Sequence, residues 1–327
     1  MGQAMAAAAT VRRRVAPRPW VGAVVVPEGQ SDHPGFVGAT DGRTGPHAEI
    51  VALAEAGAAA TGSTMYVTLE PCSHHGRTPP CADAVIEAGV SRVVVGVTDP
   101  DPKVSGQGIE RLRTAGIEVE VGCRQSEIER QLAPYLHHRS TGRPFVVLKL
   151  ASTLDGRSAA PDGSSQWITG DEARLDAHRL RADSDAILVG AGTVKADNPS
   201  LTVRLPEDEH SPGDTDPLRI VLGTAPADAA VHPCLELGGD LGAVLDELGA
   251  RGVIQLMVEG GPTVAHAFHA AGLVDRYVLY LAPAIFGGND ALGLFSGPGA
   301  PTIGGLWRGR IVDVARVGDD LRLEIEA

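Results

Sequence analysis

Apolar and polar positions change period in a regular way along the first part of the chain. VGAVVV (21–26), MYVTLE (65–70), RVVVGV (92–97) and IEVEVG (117–122) are apolar-rich runs of strand length. Between the last three lie ADAVIEAG (82–89) and GIERLRTAG (108–116), and EIVALAEAGAAA (49–60) precedes them. Short apolar runs bounded by turn residues predict buried strands, and a 3.6-residue spacing predicts helices. A Gly/Pro/Asp-rich loop follows the first strand and leads to a second candidate strand, GFVGAT (35–40). MAAAATVRRR (5–14) reads as a short helix, and the helix after His47 is expected to close near Gly62. Strands alternating with helices imply a sheet covered on both faces.

SEIERQLAPYLHHRSTGRP (126–144) reads as one amphipathic helix running into a basic Gly/Pro connector. The chain is therefore expected to divide near Thr141–Arg143, into domains 1–141 and 142–327. The second half restarts with the strand FVVLKLAST (145–153), then LDGRSA, SSQWIT and the helix DEARLDAHRLRAD (171–183). Thr169 and Glu172 have the spacing of a capping box for that helix. DAILVGAGTV (185–194) predicts a strand entering a Gly-rich turn, the kind of turn that lets backbone approach a phosphate. LRIVLGT (218–224) is another strand. IQLMVEGGPTVAHAFHAAG (254–272) reads as strand, Gly-Gly turn and helix, which sets backbone N–H groups at a helix N-terminus. RYVLYLAPAIFGG (276–288) adds a strand, and the terminal segment from Ile311 reads as a hairpin around Gly318-Asp319. No G-x-G-x-x-G follows the first strand, so a Rossmann dinucleotide site is not supported.

Composition narrows the class. The 327 residues leave room for two domains of ordinary size. A formal charge of −13 argues against a nucleic-acid partner, since affinity for a phosphate backbone comes from clustered Lys and Arg. No apolar run approaches a membrane span, and MGQAMAAAATVRRR places its apolar piece before its charges, the wrong order for a secretory signal. Cys123 and Cys234 lack obvious partners, which points to a reducing cytoplasm.

The chemistry concentrates in HAE (47–49) and EPCSHHGRTPPC (70–81). His47, Cys72 and Cys81 make three ligands, and a catalytic zinc site keeps three protein ligands and a water. Glu49 stands two residues after the histidine, where a proton shuttle is needed. The order follows the zinc-deaminase grammar H-x-E…P-C-x-x-C, with a longer gap between the cysteines. Pro46 before His47 and the helix after it put the metal near a helix start; Cys81 opens a second helix, whose dipole favours a thiolate. His74 and His75 are alternative ligands, and Fe²⁺ or Co²⁺ could occupy the same donors. Arg77, Asp99 and Asp101 fall on loops at strand ends, where α/β sheets bind ligands, although solvated loop charges are the commoner case.

HAE, TLEPCSHHGRTPPC, VTDPDP, LKLASTLDGRSA, SSQWIT, RADSDAILVGAGTVKADNPSLTVR, VEGGPT and YLAPAIFGG, in this order, resemble the bifunctional riboflavin-biosynthesis deaminase–reductase family over nearly the whole chain. The resemblance implies an α/β architecture: a cytidine-deaminase-like three-layer domain followed by a dihydrofolate-reductase-like one. The first would use zinc to deaminate a diaminopyrimidine ribotide. The second would use NADPH to reduce the ribosyl side chain to a ribityl one. It implies His47, Cys72 and Cys81 as zinc ligands and Glu49 as the catalytic acid–base. Ala151, Trp167, Thr193, Asp197, Thr224 and Gly261, Pro262, Thr263, Val264, Ala265, His266 and Ala267 correspond to NADPH-contacting positions. Ser165, Arg181, Leu201, Arg204 and Glu259 correspond to substrate-contacting positions, with the two arginines suited to a phosphate. Without that resemblance, Arg181 reads as a surface ion pair and Trp167 as a core aromatic.

Three departures stand out against the family pattern. Arg18-Pro19-Trp20 replaces an Asn-Pro pair whose asparagine helps to hold substrate, and Gly223 replaces a common Asp. The stretch Asp228–Asp240 is short, so the strand usually found before the helix near Leu241 is expected to be absent. A homo-oligomer is expected. Two other readings are a zinc deaminase of a free nucleoside or tRNA, and a binding protein whose reductase-like half senses a nucleotide without turnover. The acidic balance and the long inter-cysteine gap weigh against the former.

Overall fold

The computed structural model describes residues 1–327 except 31, 74–78, 103 and 211–214. The chain forms two compact units, one of which comprises Met1–Gly142, while the other begins at Arg143.

The first unit runs α1 (Gly2–Val15), β1 (Gly22–Val26), β2 (Phe36–Ala39), α2 (Ala48–Ala56), β3 (Thr64–Leu69), α3 (Cys81–Glu87), β4 (Arg92–Val97), α4 (Gln107–Thr114), β5 (Glu118–Val121) and α5 (Gln125–Thr141). Its sheet has the order β2-β1-β3-β4-β5, antiparallel around β1 and parallel from β3 to β5. Small residues let the helices come close. A Cβ on Gly22 would collide with the Ala4 carbonyl of α1, and one on Gly38 with the Ala48 carbonyl of α2. Ala23 pairs with Gly38, and Gly22 points the opposite way from Ala23, so α1 and α2 lie on opposite faces. Gly96 of β4 faces Ile128 of α5 on the α1 side. The result is a three-layer α/β unit. The helix after His47 ends earlier than expected: Gly57 (φ 50°) stops it, and a 3₁₀ turn fills Gly57–Ala60.

The second unit runs β6 (Phe145–Thr153), β7 (Arg157–Ala159), α6 (Asp171–Ala182), β8 (Ala186–Gly190), α7 (Ala191–Asp197), β9 (Leu218–Leu222), β10 (Leu235–Leu237), α8 (Leu241–Ala250), β11 (Gln255–Val258), α9 (Pro262–Ala270), β12 (Arg276–Ala282), β13 (Leu292–Gly293), β14 (Arg310–Val317) and β15 (Asp320–Glu326). Eight strands form one sheet, ordered β10-β9-β8-β11-β6-β12-β15-β14. It is parallel from β10 to β12 and closed by the antiparallel β15–β14 hairpin. β8 and β11 are buried along their whole length, as parallel strands covered on both faces must be. Leu188, Leu256 and Val258 join the core under α8 and α9, while Ile187, Val189 and Met257 join a separate cluster.

Three local expectations are corrected here. The strand expected to be missing is present: β10 pairs in parallel with β9 through Leu235, Glu236 and Leu237. Three residues suffice at an edge, where one neighbour and the half-buried Leu235 and Leu237 hold it. The Thr169–Glu172 capping box does not form. Gly170 is the N-cap residue, without a side-chain cap, and its N–H donates instead to Asp320 of β15 (2.7 Å). The Gly-rich turn after β8 is brief, because Gly190 has extended backbone and caps α7 directly.

Candidate functional site

In the first unit, His47 is the N-cap residue of α2, with extended backbone (φ −74°, ψ 161°). The turn before it is closed by the Asp41 N–H, which donates to the Pro46 carbonyl (3.0 Å). Arg18 braces that turn: its Nη1 donates to the Gly42 and Gly45 carbonyls, 3.0 Å each. Arg18 therefore helps to hold the loop that delivers His47.

Cys72 follows β3 by way of Glu70 and Pro71. The buried Glu70 carboxylate accepts four backbone N–H groups: Gly108 (2.9 Å) and Ile109 (3.3 Å) on Oε1, Gly106 (2.9 Å) and Asp99 (3.3 Å) on Oε2. A carboxylate at the start of α4 satisfies N–H groups that a helix cannot pair internally. Gly108 is required there, since a Cβ would run into the Pro71 carbonyl. Cys81 is the first residue of α3, and its N–H donates to Cys72 Sγ (3.3 Å). The helix start thus supports the Cys72 sulfur directly.

His47 Nδ1 lies 3.2 Å from Cys81 Sγ and 3.7 Å from Cys72 Sγ. Zinc bonds of about 2.3 Å to sulfur and about 2.0 Å to nitrogen at tetrahedral angles would separate S and N by about 3.5 Å. The observed spacings bracket that value, and the ligand atoms all fall within 4.8 Å of one another, so the donor set fits a zinc ion. The Cys72 thiol is pulled down to about 4, chiefly by its hydrogen bond with Cys81 and further by His47 and the Cys81 N–H. Cys81 is pushed far up by that same bond and by burial. Both shifts express one shared proton, which a dication at the site would displace. The His47 pKa is raised by its hydrogen bond to Cys72.

Glu49 occupies the first turn of α2 and is 3% exposed. Burial raises its proton affinity, and the neighbouring His47 partly offsets this. His74, His75 and Arg77 lie outside the described residues. Asp99 is anchored rather than open: its carboxylate accepts from Tyr135 Oη of α5 (3.0 Å) and from the Asp101 N–H (2.9 Å).

In the second unit the proposed substrate residues partly converge. Arg181, near the end of α6, donates from Nη2 to Glu259 Oε2 (2.8 Å) and from Nη1 to the Thr202 carbonyl (2.7 Å). Both side chains of the ion pair are nearly buried, and the Arg181 and Lys149 charges hold the Glu259 carboxyl below its usual range against the desolvation that would raise it. Two arms of the Arg181 fork are thus held by protein groups, while its buried Nε and Glu259 Oε1 have no partner among the described residues, a pairing that sequence spacing could not show. Arg204 is exposed, and its guanidinium has no partner among the described residues. Leu201 is buried with φ 53°. Ser165 is half-buried on the loop before α6.

Thr193 of α7 meets the start of α9, where its Oγ1 accepts from the Gly261 N–H (3.3 Å). Gly261 caps α9 without a side-chain cap, and Pro262 holds its first position. An uncapped helix start with glycine at the approach fits an anionic group such as a pyrophosphate. Thr263 is exposed and Val264 and Ala267 are half-buried, whereas the Ala265 side chain belongs to the core. His266 hydrogen-bonds the Pro298 carbonyl (3.0 Å). Ala151 lies half-buried in β6, and Asp197 and Thr224 are exposed at the ends of α7 and β9. Trp167 is 66% exposed with Arg174 stacked over it, not a core aromatic.

Sequence reasoning missed Glu70 as an anchor and His178 altogether. The latter lies three residues before Arg181 on α6, a spacing that puts two side chains on one face, and this was the available signal.

Residues 1–97 match the family described as cytidine and deoxycytidylate deaminase zinc-binding region, and residues 144–323 match the RibD C-terminal domain. The chain is 40% identical to the riboflavin biosynthesis protein RibD of Escherichia coli, across 99% of this chain and 98% of that protein. It is 42% identical to the RibD protein of Mycobacterium tuberculosis, across 100% and 96%. Among solved structures, Acinetobacter baumannii RibD superposes with a TM-score of 0.91 at 35% identity, covering 99% of this chain and 97% of that one. A Thermotoga maritima diaminohydroxyphosphoribosylaminopyrimidine deaminase/5-amino-6-(5-phosphoribosylamino)uracil reductase gives 0.87 at 34% identity, covering 100% and 97%.

Proposed function

The chain belongs to the RibD family of riboflavin-biosynthesis proteins, and on that premise we propose which of its residues carry the two reactions. It is a bifunctional enzyme, a zinc-dependent hydrolytic deaminase joined to an NADPH-dependent reductase. We assign the deaminase to the unit ending at Gly142 and the reductase to the unit beginning at Arg143. The substrate is the diaminopyrimidine ribotide, whose ring amino group leaves as ammonia before the ribosyl chain is reduced to ribityl.

The observation that carries this reading is the convergence of His47, Cys72 and Cys81 beside the buried Glu49. Zinc held there supplies an acidified water at neutral pH. The Glu49 carboxylate takes the proton released as water adds to the ring carbon and returns it to the departing nitrogen. A buried carboxyl with raised proton affinity suits both halves of that transfer. Arg18 and Glu70 act one step back, fixing the segments that present His47 and Cys72.

In the reductase, the α9 start at Gly261–Ala267, with Thr193, Asp197, Thr224, Ala151 and Trp167, is assigned to NADPH. Ser165, Leu201, Arg204 and Glu259 are assigned to substrate, with Arg204 as the phosphate handle. Arg181 is reassigned as the partner that keeps Glu259 ionised and oriented.

No helix among the described residues is long and apolar enough to cross a membrane. Cys123 and Cys234 form no disulfide, which fits a reducing cytoplasm. A homo-oligomer is supported by the edge strand β14, where Ile311 and Val314 are each 57% exposed.

The test is incubation with the diaminopyrimidine ribotide, with and without NADPH, following ammonia and NADPH separately. Ammonia release should not need NADPH, and NADPH oxidation should follow it. Deamination of RNA instead, or binding of both ligands without turnover, would overturn the assignment.

A further inference from the structure

We propose that His178 is a positioning residue for the reductase, setting where the Arg204 guanidinium stands to receive the anionic end of the substrate; this rests on the assignment of Arg204 as the phosphate handle.

The chain from Leu201 to Leu205 has no regular secondary structure, so no ladder holds it. Backbone groups of three consecutive residues are nevertheless held by side chains. The Thr202 carbonyl accepts from Arg181 Nη1 (2.7 Å), the Val203 N–H donates to Asp216 Oδ1 (2.8 Å), and the Arg204 N–H donates to His178 Nδ1 (3.3 Å). Leu201, buried just before them, sits in the left-handed region, which costs a residue other than glycine and persists only where its surroundings impose it. The segment is docked onto α6 by two side chains one turn apart, His178 and Arg181, on a single helix face.

The two anchors differ in what they leave available. Arg181 gives Nη1 to Thr202 and Nη2 to Glu259, and its buried Nε has no partner among the described residues. His178 turns Nδ1 to the Arg204 N–H (3.3 Å), with Arg181 Nη1 also near it (3.5 Å), and so holds the backbone of the residue whose own guanidinium has no described partner. To accept there, the ring must be neutral with its proton on Nε2. Burial first, then the Arg181 and Arg204 charges, lower its pKa to about 4, so the acceptor persists at neutral pH. A long side chain amplifies small displacements of its backbone, and a charge-assisted bond to phosphate tolerates little error in position. Releasing the Arg204 N–H should therefore weaken substrate capture without touching the hydride-transfer geometry.

The test uses the full-length, zinc-loaded chain and the deaminated ribotide with NADPH. His178→Ala should raise the ribotide KM about three- to tenfold, the scale of one lost hydrogen bond and the mispositioning that follows. The kcat should stay within about twofold, with NADPH KM and ammonia release unmoved. His178→Asn, whose Oδ1 takes nearly the place of Nδ1, should recover most of the loss. Adding His178→Ala to Arg204→Ala should cost nothing more, because the two act through one contact. Additive effects, a fall in kcat with NADPH affinity, or an unchanged KM in His178→Ala while Arg204→Ala raises it, would overturn the positioning role. An unchanged KM in Arg204→Ala itself would instead remove the handle assignment, and the inference with it.

Discussion

Glu70→Gln is the sharpest test of how the metal-bearing loop is held. The change keeps size and shape and replaces one carboxylate oxygen by an NH₂ group. Each oxygen accepts two backbone N–H groups, Gly108 and Ile109 on one and Gly106 and Asp99 on the other. Whichever way the amide settles, two buried donors face a donor. An unsatisfied buried donor costs about 1–3 kcal/mol, so the variant should lose about 2–6 kcal/mol. That is a large share of a domain stability of about 5–15 kcal/mol. For a unit of this size, at about 3–4 °C per kcal/mol, the midpoint should fall by about 6–24 °C. The assay is thermal inactivation, with ammonia release and NADPH oxidation measured on the same heated samples and zinc loss followed by a chromogenic chelator. Ammonia release and zinc should be lost together at the lower temperature, with reductase activity surviving. A midpoint within about 3 °C of the parent would show that the carboxylate does not hold the segment.

Cys81→Ser should lose zinc and ammonia release together while NADPH oxidation on the deaminated ribotide persists; full zinc retention would mean another group is the ligand. Glu49→Gln should keep its zinc and fold yet lose ammonia release by about 10²–10⁴-fold, the range typical of a positioned acid–base, and near-normal release would remove Glu49 from the mechanism. His178 should also leave a trace in the pH dependence of stability. Its folded pKa is about 4 against 6.5 for the free group, with Arg181, Arg204 and Lys149 opposing its charge and Glu259 favouring it. Between those values the unfolded chain binds a proton that the folded one refuses, so stability should fall as pH drops through that window and level off below it. In urea titrations across the window His178→Asn should flatten that slope, and an unchanged slope would show that the imidazole is not held neutral.

The sequence alone was enough to show the alternation of strands and helices, because a buried parallel strand such as Ala186–Gly190 must be apolar throughout and an amphipathic helix must repeat every three to four residues. The metal donors were legible for a related reason. His47 and Glu49 sit at one helix start and Cys81 at another, so their spacing reports local geometry that Pro46 and Pro80 help to fix. Tertiary structure decided which charges meet. Arg181 and Glu259 are 78 positions apart, and Glu70 reaches N–H groups as many as 39 positions away. Neither pairing has a local pattern, since a charged side chain looks the same in sequence whether it faces water, substrate or a buried partner. Strand β10 escaped because three residues carry almost no periodic signal, and the expected cap at Thr169 failed because Asp320, from the far end of the chain, supplied the acceptor one residue later. Patterns set by a residue's near neighbours can be read along the chain; those set by the partner that the fold delivers cannot.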